Sequence, residues 1–276
     1  MLLAPLLKRI LRRPFFRGQD RLFNYLFQRQ QLKNGTVRVK PLIGNFNIDC
    51  DTNTWIGAKV VYAGDYEPQL KSVFKSYINA GDYVLDIGAN IGFHTLYFSE
   101  LATASGRVFA FEPVLYNFNA LKQNLELNLT KNVEIYNIAL SNKNEQLKIS
   151  ADANSTNPGS FNLFDQNGET NISCRIGDEV INVLERVDFI KIDVEGYEAF
   201  VIDGLINIIK KYQPKIVFEF DHNYHIKTGL PTVFIFDLLS KIGYRFYSIT
   251  QRGLILIDDF DLVGSGNILA LIKNNG

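Results

Sequence analysis

The residues best suited to chemistry are acids spaced along the second two-thirds of the chain: Asp86, Glu112, Asp193 with Glu195, and Glu219. Each stands at or just after the end of a short apolar run: Tyr83–Ile87, Arg107–Phe111, residues 187–192 and Lys215–Phe220. Such runs read as strands buried on both faces. In an open α/β sheet, ligands bind beyond the carboxyl ends of the strands. One acid there is unremarkable. Four successive sites in phase with the sheet point to a ligand, because an unpaired carboxylate costs desolvation free energy.

The first of these sites opens a tight turn, Asp86-Ile-Gly-Ala-Asn-Ile-Gly92, and an apolar helical pattern (Phe93, Leu96, Tyr97, Leu101) follows it. Gly88 and Gly92 allow the backbone to turn sharply and approach a ligand. The pattern differs from the Gly-x-Gly-x-x-Gly that receives a pyrophosphate. A carboxylate just ahead of the turn would repel a dianion that prefers bare backbone N–H groups. Asp86 suits positive charge, such as the amino group or sulfonium of S-adenosylmethionine. Glu112 is placed to accept hydrogen bonds from both hydroxyls of a ribose. Asn137 closes the strand at 133–138, where an adenine edge would lie. For proton removal the candidates are Asp193, Glu195, Glu219 and His222, with His225 close by. A structural reading of Asp193 and Glu195 competes: capping the next helix and pairing with Lys191. The same cluster with His222 could hold a divalent cation, but the ligand spacing is not dense, and no metal is expected.

The elements that must position these residues come in order. Residues 2–13 and 20–32 read as basic amphipathic helices separated by Pro14 and Gly18. They suit either a cap packed on the following domain or the surface of an anionic membrane. Residues 36–50 alternate as a β-hairpin with its turn at Gly44-Asn45. Residues 55–64 read as a connector with a strand at 59–62. A helix starts at Tyr66-Glu-Pro68 and runs to about Ile78. From about residue 82, strands alternate with helices at 115–128, 197–212 and 232–242, and 181–185 reads as one helical turn. This alternation predicts a mostly parallel sheet covered on both faces. Tyr244–Thr250 and residues 267–272 read as antiparallel neighbours, so that the last strand runs against the rest, with a hairpin arm at 254–257 between them. The polar stretch 141–175, with strand-like pieces at 146–149 and 161–164, is long for such a connection and is expected near the acceptor site. The reading divides the chain into an N-terminal extension, 1–65, and a main domain, 66–276.

The 276 residues are 46% hydrophobic and 21% charged, with zero formal net charge, which gives no argument for nucleic acid. Residues 1–33 hold eight of the Lys and Arg residues and one acid, Asp20. Cys50 and Cys174 are too few and too far apart for a disulfide framework or a zinc site. They read as buried free thiols in a reducing compartment. No apolar run is long enough to span a bilayer. A cytoplasmic protein is expected, with the basic helices as a candidate contact to the inner face of a membrane. Oligomeric state is not encoded in any visible feature.

Five segments together resemble the FkbM-type S-adenosylmethionine-dependent methyltransferases: Asp-Ile-Gly-Ala-Asn-Ile-Gly (86–92), Phe-Ala-Phe-Glu-Pro (109–113), Asn-Ile-Ala-Leu-Ser (137–141), Ile-Lys-Ile-Asp-Val-Glu-Gly-Tyr-Glu (190–198) and Ile-Val-Phe-Glu-Phe (216–220). The resemblance covers roughly residues 60–225. It implies a Rossmann-like class I domain with a seven-stranded sheet. By this resemblance Asp86, Gly88, Ala89, Asn90 and Gly92 would hold the methionine portion, Glu112 the ribose, Asn137 and its neighbours the adenine, and Asp193 the amino-acid end of the cofactor or the transferring methyl. It also implies O-methylation of a hydroxyl on a sugar, glycan or other small metabolite. A nicotinamide-dependent oxidoreductase is the alternative enzyme, opposed by Asp86 and the Asn90 turn. A cofactor-binding regulator without catalysis is the alternative outside enzymes. Nucleic-acid methylation lacks both a basic face and an Asn/Asp-Pro-Pro-aromatic segment.

Overall fold

The apolar runs become the centre of an eight-stranded sheet in a computed structural model, which describes residues 3–12, 16, 18–149, 168 and 170–273. In chain order, helices α1 (Leu3–Leu11) and α2 (Gln19–Gln28) precede the hairpin β1 (Thr36–Val39) and β2 (Ile48–Asp51). Helix α3 (Trp55–Ala58) continues into a π-helical turn, Lys59–Ala63, and α4 (Pro68–Tyr77) follows. The alternating part then runs β3 (Tyr83–Ile87), α5 (Phe93–Ala102), β4 (Arg107–Phe111), α6 (Leu115–Leu127) and β5 (Val133–Tyr136). Strands β6 (Ala139–Ser141), β7 (Glu145–Ile149) and β8 (Thr170–Ile176) form a separate three-stranded sheet. Next come α7 (Gly177–Ile181), β9 (Phe189–Ile192), α8 (Glu198–Gly204), α9 (Ile206–Tyr212), β10 (Lys215–Phe220), α10 (His222–Lys227) and α11 (Phe234–Ser240). Strands β11 (Tyr244–Thr250), β12 (Gly253–Leu256) and β13 (Gly266–Ile272) complete the regular structure of the described residues.

The large sheet has the order β12-β11-β13-β10-β9-β3-β4-β5. From β10 to β5 all neighbours are parallel, and β13 lies antiparallel between β10 and β11. This is the expected seven-stranded arrangement with its reversed last strand. The arm expected at 254–257 pairs with β11 and makes an eighth, edge strand, on which Leu254, Ile255 and Leu256 are exposed. The chain leaves β3 for β4 on one side and later returns to β9 on the other. A crevice opens where the order reverses.

Period-two alternation sends β3 side chains into two cores. Leu85 and Ile87 join α8, α9, α11 and the small sheet, while Val84 joins α4, α5, α6 and the N-terminal segment. The second core includes Leu11, Phe23, Leu26, Phe27 and Leu32, so α2 packs Phe23, Leu26 and Phe27 against the protein, while Ile10 and Leu22 are exposed. The boundary expected at residue 65 therefore runs through a shared core.

Four local expectations are corrected. The strand at 59–62 is a π-helical turn, closed by Gly64 at φ 87°. The hairpin pairs Val39 with Ile48, so its loop spans 40–47 rather than two residues at Gly44-Asn45. Buried Lys71 holds this loop by donating to the Ile43 carbonyl at 2.6 Å. The helix expected at 197–212 breaks at Leu205 into α8 and α9. Just ahead of the break, a Cβ on Gly204 would lie 2.0 Å from the Ser141 carbonyl oxygen, so the helix and β6 touch backbone to backbone. The helical turn expected at 181–185 starts earlier, at Gly177. Of the strand-like pieces in 141–175, the first is β7, and the second, 161–164, lies outside the described residues. Both cysteines are buried and free. Among the described residues no helix is long and apolar enough to cross a membrane.

Candidate active site

The crevice between β3 and β9 is built from two left-handed turns pressed against each other. Gly88, at φ 84°, has no room for a side chain, because a Cβ would lie 1.8 Å from the Asp193 carbonyl oxygen. The Gly88 and Ala89 N–H groups donate to the Phe111 carbonyl, each at 3.0 Å, which ties the first turn to β4. Asn90 takes φ 50°, and its N–H donates to Glu112 Oε2 at 2.8 Å. Glu112 Oε1 accepts from Val114 N–H at 2.9 Å. Burial pushes this carboxyl up to about 7, against the pull of those two N–H groups. Gly92 has Leu121 where its Cβ would stand, which brings α6 against the start of α5.

On the other side, Glu195 at φ 54° and Gly196 at φ 98° form the second turn. Glu198 Oε1 accepts from Val194 N–H at 3.0 Å and Gly196 N–H at 3.2 Å, so the first residue of α8 clamps the loop before it. Burial drives Glu195 up to about 8, helped by the charges of Asp193 and Glu198. Glu219 rises to about 9, through burial and then Asp193, Glu195 and Glu198. Among these acids lies buried Lys191, its Nζ 3.2 Å from Asp193 Oδ2 and 3.7 Å from Asp86 Oδ1. Burial opposes its charge, but Asp193, Asp86 and Glu67 outweigh burial and raise its pKa.

The cleft is lined by the first turn from Ile87 to Ile91, by Phe111–Val114, by Ile138–Leu140 and by Asp193–Glu195, with Lys191, His94 and Tyr66. It therefore brings together Gly88, Ala89, Asn90, Glu112, Asp193 and Glu195. Gly92 stands behind it as the N-cap of α5. Asp86 is fully buried and does not line it. Its Oδ2 accepts from Thr95 Oγ1 at 2.6 Å, and the cation beside it is Lys191. Asn137 is exposed, and its amide donates to the carbonyls of Glu112 and Pro113, both at 2.9 Å. The next residues, Ile138, Ala139 and Leu140, line the cleft in its place. Glu219 stands outside the lining, and the exposed His222 imidazole lies on α10. His225 is buried, with Nε2 2.7 Å from the Pro231 carbonyl. Among the described residues no group of three or more His, Cys, Asp or Glu side chains is placed to hold a metal ion.

Four participants had no assigned role in the motif reading: Glu198, His94, Tyr66 and Glu67. Glu198 was within reach, as an acid two residues after Gly196 at a helix start. His94 is buried, pushed down to about 3 by burial and the charge of Lys191, and its Nδ1 has no hydrogen-bond partner. No spacing in the sequence connects Tyr66 or Glu67 to the crevice.

Residues 86–246 match the family model described as the methyltransferase FkbM domain. Among curated proteins, the chain is 30% identical over 146 residues to methyltransferase 1 of Beauveria bassiana, covering 45% of this chain and 58% of that protein. It is 29% identical over 214 residues to the AMB antimetabolite synthetase AmbE of Pseudomonas aeruginosa, covering 62% of this chain and 10% of that protein. The chain thus spans little more than half of one curated relative and a tenth of the other. Among solved structures, the methyltransferase FkbM of Methylobacillus flagellatus is 16% identical, with a TM-score of 0.43, covering 77% of this chain and 52% of that one. A SAM-dependent O-methyltransferase of Thermotoga maritima is 13% identical, with a TM-score of 0.43 and 87% of each chain covered.

Proposed function

The chain belongs to the FkbM methyltransferase family, whose methyl donor is S-adenosyl-L-methionine, and from that premise we propose that it methylates a hydroxyl oxygen on a sugar, a glycan or another small metabolite. The residues of the cleft fit the donor. Gly88 lets the first turn press against the Asp193 carbonyl, and the turn offers backbone to the methionine portion. Glu112, fixed by two N–H groups, keeps lone pairs for ribose hydroxyls. Ile138–Leu140 supply an apolar wall for the adenine, with Asn137 bracing the carbonyls beneath it. Asp193 faces the amino end of the donor while Lys191 balances its charge. When bound, the donor supplies a methyl group on a sulfonium, already activated for displacement.

The residues of the chain then have two tasks. They hold donor and acceptor in line, which is where most of the acceleration of such a displacement arises. They also take the proton of the hydroxyl. The observation that carries an oxygen acceptor is Glu195, a carboxyl in the cleft wall pushed up to about 8. A base works best with its pKa near the operating pH. Burial sets the Glu195 value first, and the charges of Asp193 and Glu198 add to it. His222 lies on α10, outside the cleft lining.

The experiment is calorimetric titration with S-adenosylmethionine, S-adenosylhomocysteine and NAD, followed by transfer of labelled methyl to hydroxylated metabolites and their amino counterparts. Micromolar binding of the first two and labelling of hydroxylated compounds are expected. Binding of NAD alone would overturn the donor. Labelling confined to amines would overturn the oxygen acceptor.

A further inference from the structure

The large sheet ends in two unlike edges, β5 and β12. On β5 the exposed Glu134 carries a charge, paired with Arg107 of β4. Charge on an edge strand discourages pairing with another chain. Strand β12 has no such guard. It reads Gly253-Leu-Ile-Leu256, with neither charge nor proline, and Leu254, Ile255 and Leu256 are 39%, 57% and 45% exposed. An apolar edge of this kind is a template for a further strand.

The backbone shows which groups the edge offers. Strand β12 pairs with β11 through Thr250 and Gly253, Ile249 and Leu254, Ser248 and Ile255, and Tyr247 and Leu256. One residue further, the Ile257 N–H donates to the Phe246 carbonyl at 2.9 Å. Hydrogen-bonded pairs alternate along an antiparallel ladder. Residues 253, 255 and 257 therefore turn their backbone groups toward β11. Leu254 and Leu256 turn theirs outward, to the free edge. An incoming antiparallel strand must meet Leu254 and Leu256 with residues that also point their groups outward.

A second copy of β12 meets this requirement when the two strands cross at a two-fold axis. With the axis at Ile255, Leu254 of each copy lies opposite Leu256 of the other, and each pair exchanges both of its N–H···O bonds. The two Ile255 side chains meet at the axis as a pair without hydrogen bonds, the closer of the two kinds. The flanking charges distinguish this register from its neighbours. Arg252 stands in the turn just ahead of β12 and Asp258 just past its end, both exposed. Neither has an ion-pair partner among the described residues. An axis at Ile255 brings Arg252 of each copy to Asp258 of the other. An axis at Leu254 would set Arg252 against Leu256, and an axis at Leu256 would set it against Phe260. We propose that β12 is a homodimer interface, in which two copies of the chain pair antiparallel about Ile255 and join their eight-stranded sheets edge to edge. Such an interface is self-complementary, the same patch serving both copies. Strands β11, β13 and β10 stand between β12 and the cleft at β9 and β3, so the pairing uses no residue of the cleft.

The test is sedimentation velocity of the full chain from low to high micromolar concentration. The mass is expected to rise from 31.4 kDa toward twice that value. Ile255→Lys places two ammonium groups against each other at the axis and is expected to weaken association by about tenfold or more. Circular dichroism of this variant is expected to match the parent, because Ile255 is exposed. Arg252→Asp and Asp258→Arg test the register. Each alone should weaken association by about threefold or more, and the two together should restore it. Both lie outside β12, so they decide the matter even if Ile255→Lys fails to fold. A chain that stays monomeric at every concentration overturns the proposal and leaves the edge to an extended segment of another protein. A dimer indifferent to Ile255→Lys places the contact elsewhere and overturns it equally. Loss in both single charge reversals without recovery in the double overturns the register about Ile255.

Discussion

Glu112 and Glu195 line the same cleft, and burial lifts both far above the ordinary carboxylate range, yet they are held in opposite ways. Glu112 stands alone at the end of β4, its oxygens accepting from two backbone N–H groups. Glu195 stands among Asp193, Glu198 and Glu219 with a single buried lysine nearby. A carboxylate fixed by peptide groups is a stable part of the frame. A carboxylate raised by its neighbours' charges changes protonation when those neighbours change. One end of the cleft is set by peptide groups, the other by crowded carboxyl groups.

The largest effect should come from the group that keeps the crowded end together. Lys191→Met leaves Asp86 and Asp193 without their cation, a loss of about 3–5 kcal/mol expected for breaking a buried pair. Thermal or denaturant unfolding measures it, and Asp86→Asn in the same chain should restore part of the loss. Full stability in Lys191→Met would mean that the acids need no partner. Glu112→Ala should weaken S-adenosylhomocysteine binding by tenfold or more. It should also cost about 1–3 kcal/mol of stability, because the Asn90 and Val114 N–H groups lose their acceptor. The motif alone suggests a change in binding with the fold untouched; the two backbone contacts are why both should move. Calorimetry and unfolding on the same variant separate the terms.

The pH dependence is a third prediction. Glu112 and Glu198 at about 7, Glu195 at about 8 and Glu219 at about 9 all lie above the ordinary 4.5. A raised carboxyl stabilises the fold below its unfolded pKa, and that contribution is lost as pH rises through the folded value. His94, lowered to about 3, acts oppositely: its contribution is present above 6.5 and lost as pH falls. Between pH 6.5 and 9 His94 contributes no slope and the raised carboxyls do, so Tm should fall across that window. A flat or rising Tm would refute the crowding. The smallest effect is the sharpest contrast with Glu112: Glu195→Gln should flatten that slope yet change S-adenosylhomocysteine affinity by no more than about twofold, under about 0.5 kcal/mol.

What could be read from the chain follows from the range of the interactions. Strands β3, β4, β9 and β10 were legible because unbroken apolar runs suit strands covered on both faces. The Gly88 turn was legible because two positions in it need left-handed backbone. Val60 and Val61 misled, since β-branched residues favour strands, but here they continue α3 into a buried helical turn. The hairpin loop misled because Lys71, a residue of a later helix, sets its path. Asp86 was read as facing a ligand's positive charge, but it is buried behind the cleft, and the cation beside it is the neighbouring strand's Lys191. Asn137 was placed near the adenine by its position after the strand, but its amide is committed to backbone carbonyls. Glu67 was invisible for a plainer reason: its partner Asn267 is 200 residues away.

That separation bears on the order in which the molecule is finished. The contacts of the Glu112 carboxylate close within residues 88–114, and its backbone needs only the next strand, β5. Glu67 obtains its amide donor only when β13 slots between β10 and β11. A chain emerging from the ribosome completes its early segments first. The wall around Glu112 thus has its local contacts long before Glu67 is anchored, and β13 serves as the latch that completes the large sheet.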